Sequence, residues 1–150
     1  MQLTEHYADT ELGVANAPER IVQNAVYICQ TLLEPVRAQF GPTEIDDGYR
    51  PPVENVEAGG KPKSYHLYIG TQSAADIKYP MPEQIIEAFD WIRLESGLRF
   101  DKVILEFKEG VVPDTPACIH LQIDSEVVPR REGYTGYTGA CEHYTPVEVR

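Results

Sequence analysis

The chain has 150 residues, of which 42% are hydrophobic and 25% charged, as is typical of one globular domain with a single core. Its 24 acidic and 13 basic side chains give a formal net charge of −11, which argues against nucleic acid or an anionic membrane as a partner. No apolar stretch approaches the roughly 18 residues that a membrane span needs.

Residues 18–40 are predicted to form an amphipathic helix, because apolar side chains recur there at helical spacing. Asn16 is the expected N-cap, and Pro18 suits the first turn. Pro35 lies inside this segment and has no backbone N–H, so we expect it to kink the helix or to break it into two pieces. Gly41 ends the helix.

The next stretch combines short strands with a long loop. Residues 44–46 suit a short strand, and Pro51 and Pro52 are expected to stop regular structure after it. Residues 53–73 are rich in glycine and polar side chains and predict an irregular, ordered loop, which in a compact domain is usually functional. Residues 74–78 suit another short strand.

The second half of the chain contains the clearest strands. A second helix is predicted at 82–96, and apolar runs with β-branched residues at 103–107 and 117–123 predict buried strands. Residues 144–149 suit a final edge strand. Because helices come early and strands cluster late, we predict an α+β fold with a small, mostly antiparallel sheet packed against N-terminal helices, with residues 1–150 as one domain.

Cys29, Cys118 and Cys141 are an odd and sparse set, and no pair has the spacing of a zinc knuckle or a redox motif. Cys29 falls in the first predicted helix and suits a small buried apolar residue. A disulfide between Cys118 and Cys141 is an open but disfavoured alternative, because sparse cysteine use suggests a reducing site of synthesis.

Two of the four histidines suit a metal site. His66 lies in the Gly-rich loop, ten residues before Asp76, and His120 lies in an apolar strand. Zinc in hydrolases typically takes three ligands from His, Asp or Glu and leaves a fourth position for water. Spacing alone does not distinguish this triad from ordinary histidines. His6 and His143 suit the protein surface.

Several short motifs surround these residues in a fixed order. They are Gly48-Tyr49-Arg50, Gly59-Gly60, Ser64-Tyr65-His66, Ser73-Ala74-Ala75-Asp76-Ile77 and Ile119-His120. The ordered set resembles the zinc D-Ala-D-Ala carboxypeptidase family of peptidoglycan peptidases, and in particular its short phage and prophage branch. The resemblance extends to residues 33–37 and 100–106, and so covers roughly residues 1–124.

The resemblance implies a Hedgehog/DD-peptidase-like fold and a role for individual residues. It identifies His66, Asp76 and His120 as ligands of one Zn²⁺ ion, and Arg50 as the group that binds a substrate carboxylate. A guanidinium group suits that role because its planar fork pairs with a carboxylate. The alternative for Arg50 is a simple salt bridge to a nearby acid such as Asp47.

Two departures from the family pattern bear on the site. The first two ligands are ten residues apart, where the family usually has seven, and the extra residues fall within 68–73. Asp47 stands where the motif often has Ser. The general base also differs, because some relatives carry an acid at the position of Ala117. The short branch has a Glu at the end of the preceding strand, which Glu106 matches, so we favour Glu106 as the base and keep Asp114 in reserve.

The leading interpretation is a zinc metallopeptidase that hydrolyses peptide bonds of bacterial peptidoglycan, as a D,D-carboxypeptidase or an endopeptidase. The resemblance implies a phage lysis enzyme or a virion component, with other virion proteins as partners in the second case. The N-terminus lacks the pattern of a secretory signal, so a holin or a virion would give a protein made in the cytoplasm access to the wall.

Two alternatives remain open. A catalytically inactive virion structural or wall-binding protein that keeps the fold would fit the missing acid at position 117 and the longer loop. A zinc-dependent hydrolase of another amide is the third interpretation, because a fold does not fix a substrate.

Overall fold

A sheet of six strands organises the computed structural model, which describes residues 1–111, 113–137 and 143–150. The strands are β1 (Glu44–Asp47), β2 (Gln72–Lys78), β3 (Lys102–Phe107), β4 (Pro116–Asp124), β5 (Glu132–Tyr137) and β6 (Thr145–Val147). Their order across the sheet is β1-β2-β4-β3-β5-β6, and β3 and β5 are a parallel pair whereas the other neighbours are antiparallel. The predicted α+β class with a mostly antiparallel sheet is confirmed.

The helical segments are α1 (Glu19–Ile28), a π-helical turn (Cys29–Leu33), α2 (Glu34–Phe40), α3 (Pro52–Glu57), a 3₁₀ turn (Tyr65–Leu67) and α4 (Pro82–Leu94). Helices α1 and α4 cover one face of the sheet. Helix α1 packs against β2, and α4 packs against β3 and β4. Among the residues that the structure describes, no helix is both long and apolar enough to cross a membrane.

The two faces of the central strands differ because successive side chains of a strand point to opposite sides. On the side of the helices, Val103, Leu105, Ile119 and Leu121 are buried in the main hydrophobic core. The alternate positions of β3 and β4 carry polar and ionisable groups on the other face. Those positions, together with Asp76 of β2, line a cleft; they are Lys102, Glu106, His120 and Gln122.

The first helical segment breaks where Pro35 predicts it. The α-helical hydrogen bonding of α1 changes to π-helical spacing over Cys29–Leu33, and α2 then begins with Glu34 and Pro35 in its first turn. The predicted cap is wrong, because Asn16 has a φ of 67° and α1 begins after Pro18 with no side-chain cap. Glu19 in the first turn still places a negative charge at the positive end of the helix.

Two segments form regular structure where the sequence did not suggest it. Pro51 and Pro52 do not stop regular structure, because Pro52 begins α3 at the position where a missing N–H costs nothing. Strand β5 contains Gly133 and Gly136, and because glycine is not a typical strand residue, the sequence did not predict a strand there. A Cβ on Gly136 would overlap the ring of Tyr144, so this glycine leaves room for a side chain from the next segment.

The longer connection between the first two predicted ligands is anchored to helix α1. Arg20 Nη1 donates to the carbonyl oxygens of Tyr68 and Gly70, at 2.7 and 2.6 Å. Asn24 Nδ2 donates to the same Gly70 oxygen at 3.0 Å. These bonds fix the extra residues against the helix, and β2 then delivers Asp76 to the cleft.

Candidate metal centre

Three side chains from separate segments converge in the cleft. His66 comes from the 3₁₀ turn, whereas Asp76 and His120 are direct partners across β2 and β4. Asp76 Oδ1 lies 3.3 Å from His66 Nε2 and 2.9 Å from His120 Nδ1. The three ligand atoms lie within 4.8 Å of one another, and two imidazole nitrogens with one carboxylate oxygen are a donor set that suits zinc.

The ring of His66 is held by its backbone surroundings. His66 Nδ1 lies 2.7 Å from the carbonyl oxygen of Gly48, which can only accept a hydrogen bond. Nδ1 therefore carries a proton, and Nε2 faces Asp76 Oδ1 at 3.3 Å. The Ser64 hydroxyl accepts from the His66 backbone N–H at 3.2 Å and fixes the turn.

The Gly48-Tyr49-Arg50 motif docks directly on this turn. The Arg50 backbone N–H donates to the His66 carbonyl at 2.7 Å, and the Tyr49 N–H donates to the Leu12 carbonyl at 2.9 Å. A Cβ on Gly48 would collide with the Leu12 backbone, so a larger residue there would push the chain away from His66.

Arg50 lines the cleft. It also forms the salt bridge to Asp47 that was the alternative prediction from the sequence. Its Nε lies 2.8 Å from Asp47 Oδ2, in an ion pair rather than an aligned hydrogen bond. Its Nη1 donates to Asn55 Oδ1 at 3.3 Å. Gly60 belongs to the Gly-Gly motif for a steric reason, because a Cβ there would overlap the Asn55 amide.

Glu106 lies beside the triad on β3. Its carboxylate, the Asp76 carboxylate and the Cys118 thiol have atoms within 4.8 Å of one another. Cys118 Sγ and the Tyr144 hydroxyl each donate to Glu106, both at 3.4 Å. Burial, and then the negative charge of Asp76, raise the pKa of Glu106 above its ordinary value.

The reserve base lies elsewhere. Asp114 accepts a hydrogen bond from the Tyr137 hydroxyl at 2.8 Å in an exposed position and does not line the cleft. Cys118 is buried. Cys141, and with it the predicted alternative of a disulfide to Cys118, lies outside the described residues.

The triad forms a strongly coupled electrostatic unit. Burial alone would raise the pKa of Asp76, but the imidazoles of His66 and His120 outweigh burial and lower it well below its ordinary value. Burial would likewise lower the pKa of His120, but the hydrogen bond and charge of Asp76 raise it to about 9. The cluster therefore stabilises positive charge next to Asp76, a role that a proton or a metal cation fills in competition.

The far side of His120 contacts residues that the sequence did not single out. His120 Nε2 lies 2.9 Å from Gln122 Oε1, and Gln122 Nε2 donates to Asp101 Oδ2 at 2.7 Å. Arg130 binds the same carboxylate through two hydrogen bonds of 2.7 and 2.8 Å. Strand alternation is the signal that finds Gln122, since a polar residue two positions after His120 faces the same side.

The cleft, of about 490 Å³, is locally basic. Among the described residues, three acidic and five basic side chains line it; the basic ones are Arg50, Lys61, Lys63, Lys102 and Arg130. The protein as a whole carries a net charge of −11. Two slightly larger hollows, of about 580 and 550 Å³, contain neither a histidine nor any member of the triad.

A comparison with known families gives one match. A family model described as Peptidase M15 matches residues 2–103. The matched segment contains Arg50, His66 and Asp76 and ends within β3, before Glu106 and His120. A search of curated proteins finds no match to the chain.

The ion pair behind His120 predicts a pH-dependent contribution to stability. Burial would raise the pKa of Asp101, but hydrogen bonds from Arg130 and Gln122 hold it below its ordinary value of 3.8. Because the folded-state pKa is the lower one, the contribution is complete above 3.8 and is lost as pH falls through the folded-state pKa. We expect Asp101→Asn to lower the free energy of unfolding by about 1–3 kcal/mol at neutral pH.

The measurement is urea unfolding of the wild type and of Asp101→Asn at about pH 7 and about pH 3. The difference between their free energies of unfolding should be smaller at the lower pH. Asp90→Asn is the control, because Asp90 is half-exposed and forms an ion pair with Arg93 at 2.8 Å near the surface, where such pairs contribute about 0–1 kcal/mol. An Asp101→Asn difference that stays constant with pH would show that packing, rather than charge, is responsible.

Proposed function

Because this chain belongs to the peptidase M15 family, whose members are zinc peptidases of the peptidoglycan-hydrolase kind, we propose that it is a zinc-dependent peptidase that hydrolyses peptide bonds in bacterial peptidoglycan. The observation that carries the proposal is the convergence of His66, Asp76 and His120 within 4.8 Å, with the Glu106 carboxylate beside them. The resemblance to the short phage and prophage branch supports a lysis enzyme or a virion component.

His66 Nε2, Asp76 Oδ1 and His120 Nδ1 are the atoms that would hold the zinc ion. They fit it in chemistry and in mutual distance, and the outer hydrogen bond of the His66 ring to Gly48 fixes its orientation. Zinc with two His and one carboxylate ligand polarises the carbonyl under attack and lowers the pKa of water to about 7.

In this proposal, Glu106 is the general base. A carboxylate oxygen of Glu106 would accept the proton of the attacking water and then deliver it to the leaving amine nitrogen. Cys118 donates to one carboxylate oxygen and Tyr144 to the other. These two contacts hold the carboxylate at the edge of the triad. An acid at this position would take the place of the one missing at Ala117, which supports the active over the inactive alternative.

Arg50 and the basic cleft favour an anionic substrate. Peptidoglycan stem peptides carry several free carboxylates, and a basic cleft in an acidic protein attracts them selectively. Arg50 would bind the carboxylate nearest the scissile bond. A terminal carboxylate in that place corresponds to carboxypeptidase activity, and a side-chain carboxylate corresponds to endopeptidase activity.

The proposal is tested with the purified full chain and insoluble peptidoglycan. We expect one zinc ion per chain and release of peptides, whose new termini, identified by mass spectrometry, define the bond that is cut. His120→Ala should lose zinc and hydrolysis together, because it removes a direct ligand. Even the loss of a residue that only supports a ligand lowers metal affinity by about 10-fold or more.

His6→Ala is the matched control, since His6 contacts Glu34 at the exposed surface, away from the triad. Zinc-loaded wild-type protein that leaves peptidoglycan intact would contradict the peptidase proposal and favour an inactive wall-binding or virion role.

If Glu106 is the general base, replacing it should lower the rate of hydrolysis without changing zinc binding. Glu106→Gln keeps the shape of the side chain but removes the proton acceptor, so zinc content should stay unchanged while the hydrolysis rate falls by about 10²–10⁴-fold. Glu109→Gln, at an exposed position just beyond β3, provides the matched control. Retention of full activity in Glu106→Gln would rule out Glu106 as the base.

The role of Arg50 predicts an effect on substrate affinity. Arg50→Lys keeps the charge but loses the fork, so KM for a peptide with a free carboxylate should rise by about 10–100-fold, with a smaller change in kcat. The same peptide amidated at that carboxylate is the control, and it should be a poor substrate for wild type and variant alike. An equal loss on both substrates would mean that Arg50 acts only through its contact with Asp47.

A further inference from the structure

The hydrogen bonds behind His120 have a fixed direction, which starts at Arg130. A guanidinium group only donates, so the two bonds from Arg130 at 2.7 and 2.8 Å are received by an ionised Asp101 carboxylate. The side chain of Asp101 is almost fully buried, at 5% exposure, whereas Arg130 reaches the cleft. Asp101 is therefore a fixed, buried acceptor in contact with two residues that line the cleft, Gln122 and Arg130.

An acceptor at Asp101 determines the orientation of the next side chain. Of the two ends of the Gln122 amide, only the NH₂ group can donate to a carboxylate, and it does so to Asp101 Oδ2 at 2.7 Å. The amide oxygen must then face the opposite way, towards His120 Nε2 at 2.9 Å. The orientation of this amide thus follows from its partner.

The amide oxygen in turn determines the protonation of His120. Because Oε1 only accepts, Nε2 of His120 must carry a hydrogen atom, and the other ring nitrogen, Nδ1, faces Asp76 at 2.9 Å. His66 has the opposite arrangement, with Nδ1 donating to the Gly48 carbonyl and Nε2 facing Asp76. The two rings are therefore held through different nitrogens by different kinds of acceptor.

We propose that Gln122, anchored by Asp101 and Arg130, is a positioning residue that holds His120 with Nε2 protonated, so that Nδ1 is the nitrogen presented to the metal. The inference rests on the proposed zinc site but adds residues that hold the third ligand from behind. Outer partners of this kind fix the orientation of a ligand ring and increase its affinity for the metal. A side chain that only filled space would not impose one tautomer.

The test uses the zinc-loaded full chain and three measurements. Two-dimensional ¹H–¹⁵N spectra of the imidazole groups should show a protected Nδ1–H for His66 and a protected Nε2–H for His120. Zinc affinity, measured by competition with a chelator, should fall by about 10–100-fold in Gln122→Met, which is similar in size but has no amide oxygen. The protected Nε2–H of His120 should disappear in the same variant.

Two further variants keep the test decisive. Gln72→Met is the matched control, because Gln72 lies on β2 but outside the cleft lining, and it should leave both readouts unchanged. If Gln122→Met does not fold, Asp101→Asn takes its place, since an amide there no longer forces one orientation on Gln122, and zinc affinity should again fall.

A protected Nδ1–H on His120, or unchanged zinc affinity in Gln122→Met, would overturn the proposal. These readouts do not depend on peptidase activity. If the wild-type protein shows the two tautomers and binds zinc but does not cut peptidoglycan, the proposed function fails while the role of Gln122 stands.

Discussion

The carboxylate of Asp76 is the group on which the rest of the site depends. It is buried on a central strand, directly opposite His120 and within 3.3 Å of His66. An isolated charge in such a place would be strongly unfavourable, so the surrounding chain must supply positive charge and hydrogen-bond donors. The two imidazoles meet this requirement, and the segments that carry them are arranged around it.

A core needs apolar side chains and the candidate site needs ionisable ones, and the sheet carries the two sets on opposite faces. The helix-covered face of β3 and β4 is apolar, with Val103, Leu105 and Ile119 in the core. The same strands therefore place Glu106 and His120 on the opposite face, at positions set by the core packing. A slip of one residue in either strand would exchange the two sets, so the stability of the core also maintains the register of the candidate site.

Sequence reasoning located residues whose placement is local or carried by a motif. The break at Pro35 follows from its missing N–H, and the triad follows from the ordered motifs, which also led to Arg50 and Glu106. The sequence did not reveal Asp101 or Arg130, because a hydrogen-bond network between distant segments leaves no periodic pattern. Strand β5 was missed for a related reason, since its glycines make room for a later segment and weaken the alternation that marks a strand.

The register of β2 and β4 also has a consequence for how the protein is made. His66 and Asp76 lie near the middle of the chain, and His120 lies 44 residues beyond Asp76, after α4 and β3. A growing chain that has been synthesised only as far as α4 has two of the three donors and lacks the strand that completes the sheet beside them. The complete set of donors is therefore available only after the long-range pairing of β2 with β4 has formed. The candidate site cannot assemble before the sheet that contains it.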